Sequence, residues 1–336
     1  MEATIRSAIE RANRIVVIQA DNPDADSLGS ALALEHILGD MGKEVVLYCG
    51  VNTPEYLRYL TGWDRIVDTM PKQFDLSIIV DANTYTLLDK LSLSGQMAWI
   101  KSRPSIVLDH HATVEHKLDF TELQLIDDTA ASTGQIIFEL CVANNWVISA
   151  AAAEQLMSSI LGDTQGLMND LTTAKTYRIM AELTELGANR PQLEEARREY
   201  SKMVKKIYHY KGLLIQRTEF AADDRITFVH VPQAEINEYS PLYNPAALVQ
   251  FDMLQVRNTA LAIVFKTYDD GRITAALRAN NGYPICGKLA EYLGGGGHDY
   301  AAGFKVTDGR TFDEVKAACL RYATELLDTI ETGTEL

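Results

Sequence analysis

Over its first 190 residues the chain alternates short β-branched runs with longer stretches of helical periodicity, and this alternation narrows the fold more than any other feature. The runs at residues 15–19, 45–48, 76–80 and 106–108 are nearly continuously apolar, as strands covered on both faces must be. Between the first two, Leu28, Leu32, Leu34, Ile37 and Leu38 recur at helical spacing and Gly42 supplies a stop. Strand, covering helix and second strand form a βαβ unit, so the expectation is an α/β domain with a parallel sheet and helices on both faces. Residues 132–144, 150–161 and 172–186 read as further helices, the last closed by Gly187.

Beyond Pro191 the pattern changes. A charged helical stretch containing Glu194, Arg197, Arg198, Glu199 and Lys202 runs to about Lys211 and reads as a connector. Paired strands are expected at 213–220 with 226–231 and at 261–268 with 272–278, the second pair joined by the hairpin signal Asp269-Asp270-Gly271. A helix over 312–330 closes a smaller α+β domain. The expected organisation is therefore a first domain at 1–187, a helical connector at 188–212 and a second domain at 213–336.

Charge limits the partners. Thirty-one Lys and Arg face 46 Asp and Glu, a net charge of −15, so no general basic field exists to hold long duplex nucleic acid. No apolar run approaches the roughly 18 residues that a membrane span needs, and the first residues lack the order of a signal peptide; a cytoplasmic protein is expected. Cys49, Cys141, Cys286 and Cys319 form no metal-type pair and read as buried free thiols.

Chemistry concentrates at the ends of the expected elements. Asp24 and Asp26 follow the first strand and precede a helix, where Asp26 or Ser27 would also serve as an N-cap. Asp81 follows residues 76–80, and Asp109-His110-His111 begins where residues 106–108 end. Asp163 ends a helix, where a carboxylate meets an unfavourable dipole unless a cation is near. Carboxylates at the carboxyl ends of parallel strands stand where open α/β sheets bind ligands. Hard oxygen donors with an imidazole suit Mn²⁺ or Mg²⁺ better than structural zinc.

The triplet Asp109-His110-His111, with the Asp-x-Asp at 24–26, resembles the DHH phosphoesterases. The run at 294–303, Gly-Gly-Gly-Gly-His-Asp-Tyr-Ala-Ala-Gly, is similar to the glycine-rich signature of the DHH-associated C-terminal domain. Together the halves resemble the bacterial nanoRNase type, which removes nucleotides from very short RNAs and dephosphorylates 3′-phosphoadenosine 5′-phosphate. The resemblance implies a two-ion Mn²⁺ site, with Asp24 on one ion, Asp26, His110 and Asp163 on the other, and Asp81 bridging. It implies that metal-activated water attacks the phosphoester, with Asp81, His110, His111 and Asp163 as the catalytic set. His111, Arg278, Gly295, Gly296, Gly297 and His298 would bind substrate phosphate, in a cleft between the domains.

One departure stands out: where the family has a histidine four residues before the first aspartate, this chain has Ala20. The expected result is a first ion held weakly, with Asp21 or Asn22 able to reach in only if the backbone turns. The aromatic residue and arginine that often follow Asp163 in nanoRNases are here Leu167 and Met168. The expected partner is a short RNA or nucleotide; a homodimer is left open. Rival readings are a cyclic-dinucleotide phosphodiesterase, a manganese pyrophosphatase, against which the glycine run speaks, and a nucleotide-binding homologue whose catalysis Ala20 has impaired.

Overall fold

The computed structural model describes residues 1–111, 116–240 and 243–332. It divides into two compact units, Met1–Lys202 and Met203–Leu336.

The first unit runs α1 (Glu2–Arg11), β1 (Arg14–Ile18), α2 (Ala25–Asp40), β2 (Glu44–Tyr48), β3 (Leu76–Val80), α3 (Asp89–Leu93), α4 (Met97–Lys101), β4 (Ser105–Asp109), β5 (Gln124–Ile126), α5 (Thr133–Asn144), α6 (Ala150–Asp163), α7 (Ala174–Glu185) and α8 (Arg190–Tyr200). All five strands are parallel, in the order β2-β1-β3-β4-β5. The chain steps to β2 on one side of β1 and then to β3 on the other, which opens a crevice at the carboxyl ends of β1 and β3. Alternate residues feed two cores. Ile15, Val17, Ile78 and Leu108 join α1, α2, α5 and α6 on one face, while Val16, Ile18, Ile79 and Val107 join Leu91, Met97 and Ile100 on the other. Every residue of β3 and β4 is buried, which explains their unbroken apolar character.

The second unit contains α9 (Lys205–Gln216), β6 (Glu219–Ala221), β7 (Ile226–Val231), α10 (Gln233–Tyr239), α11 (Pro245–Leu254), β8 (Leu261–Thr267), β9 (Ile273–Ala279), α12 (Cys286–Tyr292), β10 (Gly296–His298), β11 (Ala301–Val306) and α13 (Phe312–Glu331). Its six strands lie in the order β10-β11-β9-β8-β7-β6, parallel only between β7 and β8. Along β8 the side chains alternate: Leu261, Ile263 and Phe265 enter one core with α12 and α13, and Ala262 and Val264 enter the other with α9 and α11.

The strand expected at 213–220 is mostly helix. Ile207, Tyr210 and Leu214 of α9 bury one helical stripe, and only Glu219–Ala221 pairs as β6. Residues 188–212 do not form one connector: α8 packs on α6 in the first unit, and α9 packs on α11 in the second. The last four residues of the expected second domain, 333–336, lie outside the described residues. All four cysteines are buried and free. Among the described residues no helix is long and apolar enough to cross a membrane.

Candidate metal centre

The parallel register brings Ile18 beside Ile79 and Val80 beside Leu108, so β1, β3 and β4 end at one level. Asp81 follows immediately. Its amide donates to Leu108 O at 3.0 Å, and its φ of +55° breaks the alternation of the strand. Aspartate is among the few residues that tolerate this left-handed conformation.

Asp26, Asp81, His110 and Asp163 converge here. His110 Nε2 lies 2.8 Å from Asp163 Oδ2, 3.6 Å from Asp26 Oδ2 and 3.8 Å from Asp81 Oδ1. The other ring nitrogen, Nδ1, is 3.4 Å from Ala130 O. A carbonyl can only accept, so Nδ1 carries the proton and Nε2 turns toward the carboxylates, the arrangement usual for a metal-ligating histidine. Potential ligand atoms of Asp26, His110 and Asp163 lie within 4.8 Å of one another, as do those of Asp81, His110 and His111.

The acids are held differently. Asp26 is fully buried and accepts hydrogen bonds from Thr133 N (2.8 Å), Gly134 N (3.2 Å), Ser30 Oγ (3.0 Å) and Ser159 Oγ. The N-terminus of α5 thus stabilises its charge. Asp81 Oδ1 is buried with no hydrogen-bond partner among the described residues. Burial, followed by the charges of Asp26, Asp24, Asp163 and Asp109, pushes the Asp81 carboxyl well above the ordinary carboxylate range. Burial likewise raises Asp163 to about 6, against its hydrogen bond to His110. Burial works against charge on His110, but the Asp163 hydrogen bond and the surrounding carboxylates prevail and raise it to about 9.

Asp24, rather than Asp26 or Ser27, is the N-cap of α2, with Oδ1 accepting from Ser27 N at 2.9 Å. Asp24 is exposed as a residue, yet desolvation of its carboxyl by the surrounding chain raises its pKa, and it belongs to neither ligand triad. Among the described residues, none next to Ala20 is placed as a substitute for the expected histidine. Ala20 is 3% exposed within the apolar core, and its carbonyl accepts the Cys49 thiol at 3.3 Å. Asp21 is already engaged: Oδ2 accepts Lys90 N at 2.7 Å, at the start of α3. Asn22 is exposed, and Gln19 is buried with both amide atoms unpartnered among the described residues.

Sequence reasoning passed over Asp109 as a functional residue. Its buried carboxylate accepts the amide of His111 at 3.0 Å and lies 2.8 Å from His111 Nδ1, fixing a ring that is half exposed. This hydrogen bond is the first cause of the raised His111 pKa. The signal was the triplet itself, whose first member caps the backbone that carries the third.

Buried carboxylates that repel one another around an orphaned oxygen fit a divalent cation on Asp26, Asp81, His110 and Asp163.

In the second unit Arg278, Gly296 and Gly297 line one cavity of about 660 Å³ with Asn244, Gln250 and Phe251. Gly295 and His298 are not in its lining. A Cβ on Gly295 would lie 2.2 Å from Gly303 O, so this glycine permits close packing against β11.

Fold and site together define a two-domain phosphoesterase. Residues 14–162 match the DHH family, N-terminal domain, and residues 245–325 match the DHHA1 domain. The chain belongs to the DHH family. It is 26% identical, over 89% of its length and 92% of the relative's, to a probable bifunctional oligoribonuclease and PAP phosphatase NrnA of Streptococcus mutans. With the bifunctional oligoribonuclease and PAP phosphatase NrnA of Bacillus subtilis it shares 24% identity over 94% and 97% of the two chains. Its fold is that of an exopolyphosphatase-related protein from Bacteroides fragilis, with a TM-score of 0.82, 22% identity and 97% of each chain covered.

Proposed function

We propose that this protein hydrolyses phosphoester bonds in short oligoribonucleotides and in 3′-phosphoadenosine 5′-phosphate, using Mn²⁺. The observation that carries this reading is the gathering of Asp26, Asp81, His110 and Asp163 at the crevice of the parallel sheet. Support for the substrate comes from the relatives' named activities over nearly the full length of the chain.

In this proposal Asp26, Asp81, His110 and Asp163 hold one Mn²⁺, and Asp24 and Asp81 hold a second weakly because residue 20 is alanine. A divalent ion there supplies Lewis acidity, making water a better nucleophile and neutralising phosphoryl charge. The chain's own groups do the rest. The α5 N-terminus holds the Asp26 carboxylate by hydrogen bonds, Asp109 orients His111, and the half-exposed His111 ring donates to the phosphate. In the second domain Arg278 pairs with another phosphate group, beside the Gly296 and Gly297 backbone.

The test is chromatography of products from a 5′-phosphorylated dinucleotide over a Mn²⁺ titration, beside an Asp81→Ala control. Release of mononucleotides that disappears in the control is expected; no release at any Mn²⁺ concentration would overturn the proposal. Ala20→His should lower the Mn²⁺ concentration needed. Nucleotide binding with turnover only in Ala20→His would favour a binding protein that has lost its chemistry.

A further inference from the structure

The wall of the cavity in the second unit contains a residue that the phosphate chemistry does not use. Helix α11 begins at Asn244, whose Oδ1 accepts Ala246 N, and has Pro245 at its first position. Its inner face buries Ala246, Leu248, Val249 and Met253. Phe251 lies off that stripe, 73% exposed, and lines the cavity with Arg278, Gly296 and Gly297. Adjacent Gln250 pins the helix to the sheet: its buried amide donates to Ala276 O at 2.9 Å and to Ala262 O at 3.4 Å. The ring is therefore presented from a fixed backbone.

Three properties of this wall select a ligand. A phenyl ring left in water forgoes the stabilisation that burial would bring, so a flat apolar partner gains by covering it. Arg278 is exposed, and its guanidinium has no hydrogen bond or ion pair among the described residues, so it is free for an anion. Gly296, in the same lining, has no side chain: a Cβ there would meet nothing within 4 Å, leaving open space beside the backbone. A cavity of about 660 Å³ falls within the roughly 300–1,000 Å³ common for small-ligand sites. A planar ring joined to a phosphate by a short polar spacer satisfies all three, and a nucleotide is such a molecule. An apolar segment of a partner protein would cover the ring but leave Arg278 unused.

We infer that Phe251 is the stacking platform for a nucleobase in the second domain, with the phosphate of the same nucleotide on Arg278. The inference rests on the reading of the chain as a short-oligonucleotide hydrolase and adds how the base is gripped. Stacking on a phenyl face tolerates every base, so the site favours nucleotides over sugar phosphates without reading sequence.

The experiment compares calorimetric binding of AMP and ribose 5-phosphate, which lacks the base, to the full-length wild type and to Phe251→Ala, Phe251→Trp and Arg278→Ala. Phe251→Ala should weaken AMP about tenfold and leave ribose 5-phosphate unchanged. Phe251→Trp should restore AMP binding, and Arg278→Ala should weaken both ligands. Equal effects of Phe251→Ala on the two ligands, no effect on AMP, or no AMP binding by the wild type would each overturn the inference. So would a fall in mass by light scattering in Phe251→Ala, which would make the ring an interface between copies. Dinucleotide turnover separates the two readings. If AMP behaves as expected but no dinucleotide is cleaved, the stacking platform stands and the hydrolase reading fails. If cleavage occurs and Phe251→Ala leaves its KM unchanged, the hydrolase reading stands and the platform fails.

Discussion

Asp26 and Asp81 are both buried carboxylates in one cluster, yet their surroundings give them opposite effects on the stability of the metal-free protein. Asp26 receives four donors, two from the start of α5, so Asp26→Asn turns an amide NH₂ toward N–H and O–H groups that now point at a carboxylate. It should destabilise the metal-free protein by about 2–4 kcal/mol. Asp81 has an orphaned oxygen amid like charges, and Asp81→Asn removes the charge while keeping a residue that tolerates positive φ. It should stabilise the metal-free protein by on the order of 1 kcal/mol while abolishing phosphoesterase activity. Urea melts in a chelator read both signs; destabilisation by both variants would refute the distinction. The same groups set a pH dependence. His110, raised to about 9, contributes stability that is complete below its ordinary 6.5 and lost as pH rises through 9. Asp163, raised to about 6, is more protonated in the folded state, so its contribution also falls as pH rises, between 3.8 and 6. The melting temperature of the metal-free protein should therefore fall from pH 5 to pH 9, and Asp163→Asn should flatten the slope. Stabilisation by Mn²⁺ should grow over the same range, because the ion displaces these protons; a shift independent of pH would count against this assignment. The ligand candidates were legible because each closes a strongly patterned segment. The engagement of Asp21 was not, since α3 is five residues long and shows no periodicity. Nor was the role of α5 in holding Asp26, which joins residues 107 positions apart in sequence.

The two helices that carry Asp26 and Asp163 pack without room for another methyl group. A Cβ on Gly29 of α2 would stand 2.7 Å from Gln155 O and 3.1 Å from Ser159 N, both backbone atoms of α6. Gly29→Ala should force α6 away, costing about 2 kcal/mol in spite of alanine's better helix propensity. Because Ser159 is also a donor to Asp26, and Asp163 ends α6, the same change should weaken Mn²⁺ binding about tenfold. A urea melt with a Mn²⁺ titration reads both, and loss of stability with unchanged metal affinity would show that the site does not depend on this crossing. Such close approach leaves only a glycine in the sequence, indistinguishable there from Gly39, which meets nothing. Periodicity was a better guide to where segments lie than to what they are. The β1 to β4 runs fell within about a residue of their strands, since double burial leaves a continuous apolar run. At 213–216 Leu213 and Ile215 are exposed, so the local Leu-Leu-Ile run imitated a strand. The true signal was the stripe of Ile207, Tyr210 and Leu214, which needed a longer window.

Two units with separate apolar cores divide the proposed ligands between them. The carboxylates and His110 belong entirely to the first unit, and the cavity with Arg278 and Phe251 entirely to the second. A ligand that binds only the folded form of one unit stabilises that unit, by about 2.7 kcal/mol at a free concentration a hundred times its dissociation constant. For a unit of 134 to 202 residues this corresponds to roughly 5–10 °C. Scanning calorimetry should therefore resolve two components: Mn²⁺ should raise one, and AMP in a chelator should raise the other. In Asp81→Asn the response to Mn²⁺ should vanish while that to AMP persists, and Arg278→Ala should do the reverse. The acidic composition sharpens the expectation. With a net charge of −15, anionic nucleotides are repelled except where a cation is unpaired, so AMP binding should weaken steeply in Arg278→Ala and only slightly with added salt. A single transition that both ligands raise equally would mean that the units unfold as one, and metal and nucleotide would then be thermodynamically coupled through the whole chain.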